Sequence, residues 1–410
     1  MPRATARLLE THDERAAAAR IVFRQMLAPM SDEKIDGTAK LWEPFSTHAA
    51  FSGEQVVGTA HWFPATLATP GDPLPTGAVT GVAVLSDHRR QGHLTRIMRA
   101  QLRHMREQAL PTAVLIAAEH PIYGRFGYGP ATESCGIELD TGAARVLGEP
   151  ARGAFAYVEP AELRAPYEEV SHARWARTPG ALLRNDVYWD RAAGLKAWPW
   201  EPLDLTKRRA ALWHDGRGRV SGVVVYKVEE GWTRNRPAGT ATVEALYGTT
   251  PEAERELWRH LCTLDWIRTV KVENRAVDDP APLWFHDPRM AAMVDHSDNL
   301  WLRLLDLKAC FAARRSPIAG SVVLEVVDDL GFAKGRWTVE LGPDGGSAAK
   351  TKQAADLTLS ASALGAAFLG GHTLARLAAA GLVDEERAGA LADASALLAT
   401  GTKPWCPVGF

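Results

Sequence analysis

Apolar positions along the chain follow two rhythms. Near the start, Thr11 and Glu14 form the ends of a capping box ahead of Ala16, Ile21, Val22, Met26 and Leu27, whose spacing predicts an amphipathic helix. Short runs at 48–51, 55–63 and 78–85, broken by Gly53 and by a Pro/Gly-rich loop at 69–77, predict a meander of strands. After the third run Leu94, Ile97, Met98, Gln101, Leu102 and Met105 fall on one helical face, with Arg96, Arg99, Arg103 and Arg106 largely off it. Residues 113–118 are apolar throughout and of strand length, as in a sheet covered on both faces. The unit therefore reads as strand, basic turn, helix, strand.

A similar order returns later in the chain. Residues 241–247 read as a strand and Thr249 or Thr250 as the cap of a helix through Trp258, Leu261 and Trp266, with a further strand at 270–272. This suggests a second, diverged copy. Its turn lacks arginine, and Pro251 is placed to open the helix, so that copy is expected to have lost any anion site. From about Trp301 the pattern changes to an apolar helix ending at Phe311, strands at 322–327 and 337–341, a hairpin at Gly345 and Gly346, and Ala/Leu-rich helices over 362–398. The expected organisation is α/β and α+β, with domains at 1–150, 151–299 and 300–410.

Composition narrows the function classes. At 410 residues the chain exceeds what one core usually serves, which favours several domains. Lys and Arg total 47 against 49 Asp and Glu, a net charge of −2, so no chain-wide field draws in nucleic acid or an anionic membrane. An anion site must then be local. Cys135, Cys262, Cys310 and Cys406 lie far apart, which argues against a structural zinc or disulfide framework, and no metal is expected. The polar N-terminal segment and the lack of a span-length apolar run lead to the expectation of a soluble, cytoplasmic protein. Ten of the 14 tryptophans fall between Trp175 and Trp301, which reads first as core and interface packing.

Three stretches carry candidate chemistry. Val82, Ala83 and Val84 precede Arg89, Arg90, Gln91, Gly92, His93, Leu94 and Thr95. A helix N-terminus with free amides, a glycine and two arginines suits a pyrophosphate, although a plain basic surface turn has the same composition. Next, Tyr123 and Tyr128 stand among glycines just past the strand at 113–118, beside Ala118 and Glu119. A tyrosine hydroxyl there can protonate a departing thiolate, and Tyr123 is nearer the strand end; the alternative is a Gly/Tyr turn packed on the sheet. Last, Pro404, Trp405, Cys406, Pro407, Val408, Gly409 and Phe410 make an apolar, proline-stiffened end that reads as docked. A docked Phe410 brings its α-carboxylate inside, where desolvation makes it a better base; the bland alternative leaves that carboxylate in water. An acyl-enzyme on Cys135 ranks below direct attack, since no histidine stands at a diagnostic spacing.

The turn at 89–95 is similar to the Arg/Gln-x-x-Gly-x-Gly/Ala pattern of the GNAT acetyltransferases, with Leu94 where a small residue is usual. Together with the strand at 82–84, the run Ile122-Tyr123-Gly124-Arg125-Phe126-Gly127-Tyr128-Gly129-Pro130 and the terminal Phe410, the chain resembles the Eis (enhanced intracellular survival) acetyltransferases. That resemblance implies an N-terminal GNAT domain with an acetyl-CoA site, a GNAT-like domain without one, and a C-terminal domain like the sterol carrier proteins. It assigns acetyl-CoA contacts to Val82, Ala83, Val84, Arg89, Arg90, Gln91, Gly92, His93, Leu94, Thr95, Ala118 and Glu119. Tyr123 becomes the proton donor and the Phe410 carboxylate the proton acceptor. A homohexamer that acetylates primary amines (aminoglycosides, polyamines or lysine side chains) is implied as well. On the acceptor side the candidates are Phe23, Met26, Trp42 and Phe45, with Glu119 as a cation partner. The rivals are a non-catalytic protein that binds acyl-CoA or a hydrophobic ligand, and an assembly scaffold.

Overall fold

The computed structural model describes residues 5–410. Its first sheet is built from β1 (Ala6–Leu8), β2 (Ser46–Ser52), β3 (Gln55–Leu67), β4 (Leu74–Val84), β5 (Thr112–Ile116) and β6 (Gly129–Pro130), with a late strand inserted beside β5. Helices α1 (His12–Gln25) and α2 (Asp32–Leu41) follow β1, and α3 (His93–Glu107) joins β4 to β5. Thr11 caps α1 and exchanges hydrogen bonds with Glu14, as the capping-box pattern requires. Met98, Leu102 and Met105 of α3 pack on Trp62, Val79 and Leu115, so the apolar face read from the sequence is the buried one.

The second sheet takes β7 (Glu133–Asp140), β8 (Gly153–Tyr157), β9 (Arg208–Asp215), β10 (Val220–Glu229), β13 (Gly239–Gly248), β14 (Ile267–Arg275) and β15 (Ala291–Asp298). A small hairpin, β11 (Trp232–Thr233) and β12 (Arg236–Pro237), extends from β10. Here α4 (Pro160–Trp175) and α5 (Asp186–Ala193) precede β9, and α6 (Pro251–Cys262) joins β13 to the parallel β14. Thr250 caps α6 and Pro251 occupies its first turn, where the missing N–H costs nothing.

The chain then returns to the first sheet as β16 (Leu300–Leu304), between β5 and β6. The apolar stretch from Trp301, expected as a helix, begins as this strand because every residue of it is buried and pairs on an interior edge of the sheet. The helix α7 (Leu307–Ala313) starts only after Asp306, which caps it. The remainder is a five-stranded sheet of β17 (Gly320–Val327), β18 (Gly335–Gly342), β19 (Gly345–Lys350), β20 (Leu357–Ser360) and β21 (Val383–Glu385), with α8 (Ala361–Phe368), α9 (Leu374–Ala379) and α10 (Ala390–Leu397). One apolar core runs without a break from Phe63, Leu67 and Val114 of the first sheet into Leu324, Leu357 and Phe368 of this domain. Among the described residues no helix is long and apolar enough to cross a membrane.

Candidate functional site

The site begins with a defect in β4. Its parallel pairing to β5 runs from Thr76 opposite Thr112 to Val79 opposite Leu115 and goes no further. On its other edge the register with β3 slips between Thr59 and His61, which face Ala83 and Thr80. The extra residues form a bulge, and Gly81 takes φ +60° within it. A β-carbon there would overlap the His61 ring, so both the backbone conformation and the space demand glycine. The consequence is a splayed strand: Ala83 and Val84 keep β3 on one edge, Val82 lies in the bulge, and all three leave β5 on the other.

Beyond β4 the chain forms the basic turn. Arg89, Arg90, Gln91 and Gly92 are exposed, His93 is buried, and Leu94 and Thr95 are half-buried. Gly92 is the N-cap of α3 at φ +79°, and no side chain caps that terminus. The first-turn amides therefore face outward with the positive end of the helix dipole. Arg90 holds φ +62°, a conformation that costs a non-glycine residue about 1 kcal/mol or more and tends to collect where loop shape serves a ligand. The Arg96 guanidinium braces the turn by donating to the Gln91 carbonyl at 2.9 Å. An uncapped helix start, a glycine and a splayed strand edge fit the pyrophosphate and amide-bearing arm of a coenzyme A thioester.

Tyr123 lies on the α3 side of that strand. It is buried in the cluster that includes Val79, Met98 and Phe126, against which Val82 and Leu94 also pack. Burial, and after it the charge of Glu119, pushes the Tyr123 hydroxyl up to about 12, so it carries its proton at neutral pH. Tyr128 is fully buried behind it, the two rings 6.3 Å apart. Ala118 and Glu119 are exposed at the end of β5.

On the other side of β4 is a cavity of about 430 Å³. Phe23, Met26, Trp42 and Phe45 line it together with Thr80 and Gly81 of the bulge; Glu119 does not reach its wall. The rim is a chain of rings: Trp42 to His61 at 4.1 Å, Phe45 to Phe63 at 5.0 Å, Phe63 to Tyr188 at 5.4 Å, Tyr188 to Trp198 at 5.1 Å and Trp198 stacked on Trp200 at 5.1 Å. Burial pushes the His61 imidazole down to about 3, which leaves it neutral at physiological pH.

Phe410 closes this cavity, edge-on to Phe63 at 6.0 Å. Hydrogen bonds to the second domain and within the C-terminal one hold the tail that carries it. The Trp405 amide donates to the Pro179 carbonyl at 2.8 Å and its indole to Asn274 Oδ1 at 2.7 Å. The Cys406 carbonyl accepts from Asn274 at 3.0 Å and from Asn299 at 3.1 Å, and Lys403 donates to Gly371 of the C-terminal domain at 2.9 Å. Behind Trp405 the buried Arg275 is ion-paired with Glu254 and Asp279.

Residues contributed by the second domain are the ones that sequence reasoning missed. Arg184, Tyr188, Arg191, Trp198 and Trp200 all line the cavity. Their one local signal is spacing: Tyr188 and Arg191 stand one turn apart on α5, with Arg184 just before its cap. Nothing in the sequence says that this face meets α1 and the chain end.

Comparison with known proteins matches this architecture segment by segment. Models described as acetyltransferase (GNAT) domain match residues 7–131 and 180–304, and a sterol carrier protein domain matches 307–407. An uncharacterized N-acetyltransferase of Streptomyces avermitilis is 39% identical over 93% of this chain and 92% of its own length. N-acetyltransferase Eis of Mycobacterium bovis is 34% identical over 80% of this chain and 79% of its own. The crystal structure of Eis1 from Mycobacterium abscessus superposes with a TM-score of 0.85 at 30% identity, covering 99% of this chain and 100% of that one. With a splayed strand, a basic turn and three matching domains in one order, the chain belongs to the Eis family of GNAT N-acetyltransferases.

Proposed function

We propose that the protein moves the acetyl group of acetyl-CoA to a primary amine by direct attack, with Tyr123 as general acid and the α-carboxylate of Phe410 as general base. The observation that carries this reading is that one splayed strand separates the Tyr123 cluster from the cavity closed by Phe410. An amine entering from the cavity side meets that strand opposite the tyrosine, the order a thioester aminolysis needs.

The cosubstrate supplies an activated acetyl group; the chain's residues do the rest. Arg89, Arg90 and the amides of Gln91, Gly92, His93, Leu94 and Thr95 take the pyrophosphate, and Ala118 and Glu119 flank the arm on the β5 side. Amides among Val82, Ala83 and Val84 donate to the thioester carbonyl and to the oxyanion that develops on it. The Phe410 carboxylate accepts a proton from the acceptor ammonium, the freed amine forms the new N–C bond, and the C–S bond breaks. The sulfur leaves as a thiolate and takes the Tyr123 proton.

Acceptors in this reading are amines of the aminoglycoside, polyamine or lysine kind, and the assembly is a homohexamer, which light scattering in solution checks. CoA release read with a thiol reagent, for wild type beside Tyr123→Phe, is the test of the chemistry. The expected result is turnover with at least one amine and a loss of about 10²-fold or more in the variant. Acetyl-CoA binding with no turnover against any amine would favour the non-catalytic ligand-binding protein instead.

A further inference from the structure

The acceptor cavity can offer an ammonium group a single carboxylate. Among the described residues of its wall there is no aspartate or glutamate, so the negative charge available is the α-carboxylate of Phe410. The neutral His61 adds none. Both arginines of the wall are engaged elsewhere. The Arg184 guanidinium lies 4.9 Å from the Trp189 ring and 5.6 Å from the Tyr167 ring and donates to Tyr247, three residues outside the wall. Arg191 is ion-paired with Glu201 and lies 5.1 Å from the Trp198 ring, so the Glu201 carboxylate is already taken. One ammonium of an acceptor therefore finds a counter-charge here, and a second enclosed with it does not. An unpaired charge in a partly desolvated site is costly.

The rest of the wall is largely apolar and ringed, and 430 Å³ is room for one ring with a short arm. Trp198 and Trp200 lie parallel, 8° from coplanar, and Phe23 meets Trp200 at 5.4 Å. Met26 lines the cavity while more than half exposed, which puts an apolar side chain at its mouth as well. Such a wall favours a flat apolar body over a hydrated one.

We propose that the preferred acceptor is an aromatic primary amine with a single positive charge, its ring among these aromatic side chains and its ammonium on the Phe410 carboxylate. This rests on the acetyl-transfer reading above and narrows its acceptors, setting polycations below monoamines.

Three probes separate charge from shape. Benzylamine is the reference, para-xylylenediamine adds a second ammonium to the same ring, and cyclohexylmethylamine keeps the single charge without the flat ring. CoA release gives kcat/KM for each, in wild type, Met26→Glu and Trp200→Ala, with acetyl-CoA affinity reporting that the variants are folded. In wild type benzylamine should exceed the diamine by about tenfold and cyclohexylmethylamine by several-fold. Met26→Glu places a carboxylate at the mouth and should raise the diamine several-fold relative to benzylamine. Trp200→Ala should shrink the advantage of the flat ring and keep the penalty on the second charge. A diamine that equals or beats benzylamine, a ratio of the two unmoved in Met26→Glu, or a cyclohexyl probe equal to benzylamine overturns the proposal.

Calorimetric titration with the same probes reads the cavity without chemistry. If no amine releases CoA, acetyl transfer falls as the function, yet tighter binding of benzylamine than of the diamine in wild type, lessened in Met26→Glu, still supports the single-charge site. Equal titrations of the two probes in wild type overturn it.

Discussion

Gly81 concentrates in one residue what the splayed strand needs. Its positive φ and the His61 ring against its missing side chain leave no room for alanine. Gly81→Ala should cost about 1–3 kcal/mol in chemical denaturation and raise the KM for acetyl-CoA, because relief of the clash closes the splay. An unchanged KM in a destabilised variant would separate the bulge from cosubstrate binding. His61 has a second consequence through its proton. Its folded pKa of about 3 lies below the usual value near 6.5, so between those limits the unfolded chain binds a proton that the native state refuses. Stability is full above the unfolded pKa and falls with pH through that window, by up to about 1.4 kcal/mol per pH unit for this group. His48, pushed down to about 4 by burial and then by His104, adds to the same slope. Urea unfolding at pH 7 and pH 5 should show the loss, and His61→Gln should flatten it; an identical slope in the variant counts against the assignment.

At the scale of elements, the tail at 404–410 has no regular secondary structure and is held by bonds from outside it. Asn274 is the hub, accepting from the Trp405 indole and donating to the Cys406 carbonyl. Asn274→Ala removes both bonds, and the expected outcome is a several-fold loss of kcat with acetyl-CoA affinity retained, since the turn at 89–95 is untouched. Deletion of Phe410 should lower turnover further with the same retained affinity. A fully active deletion variant would remove the terminal carboxylate from the mechanism. The capping box of α1, the Thr250–Pro251 start of α6 and the apolar face of α3 could all be read locally, because caps and helix periodicity are set by residues within a turn or two. The start of β16 could not, because a mostly apolar run takes its conformation from the strands that flank it.

Across the whole molecule, the first sheet and the C-terminal domain share one core, and a buried ion pair joins them. Arg303 of β16 donates to both oxygens of Asp328 at 2.8 and 2.7 Å, and Asp328 also receives the Ala333 amide at 2.7 Å. Burial alone would raise the Asp328 pKa, but the Arg303 charge and the amide donors hold it below the usual carboxylate range. Asp328→Ala leaves a buried guanidinium unpaired and should cost about 3–5 kcal/mol. Calorimetry should show the first and third domains melting together in wild type and at a lower temperature in the variant. Separate transitions for the two in wild type would mean that the shared core does not couple them.

The sequence by itself determined the strand-turn-helix unit, its repetition, the basic turn with Gly92, the tyrosine at the strand end and the apolar character of the last residues. Each of these is written in neighbours along the chain, where spacing and side-chain type act directly on the backbone. Only the tertiary structure decided that β7 and β16 exchange between sheets, that Gly81 makes a bulge, and that Arg184, Tyr188 and Trp200 of the second domain meet Phe23 of the first around Phe410. The bulge apart, those contacts join residues more than a hundred positions apart. They form because separate apolar faces find one another on folding, a choice that no local pattern specifies.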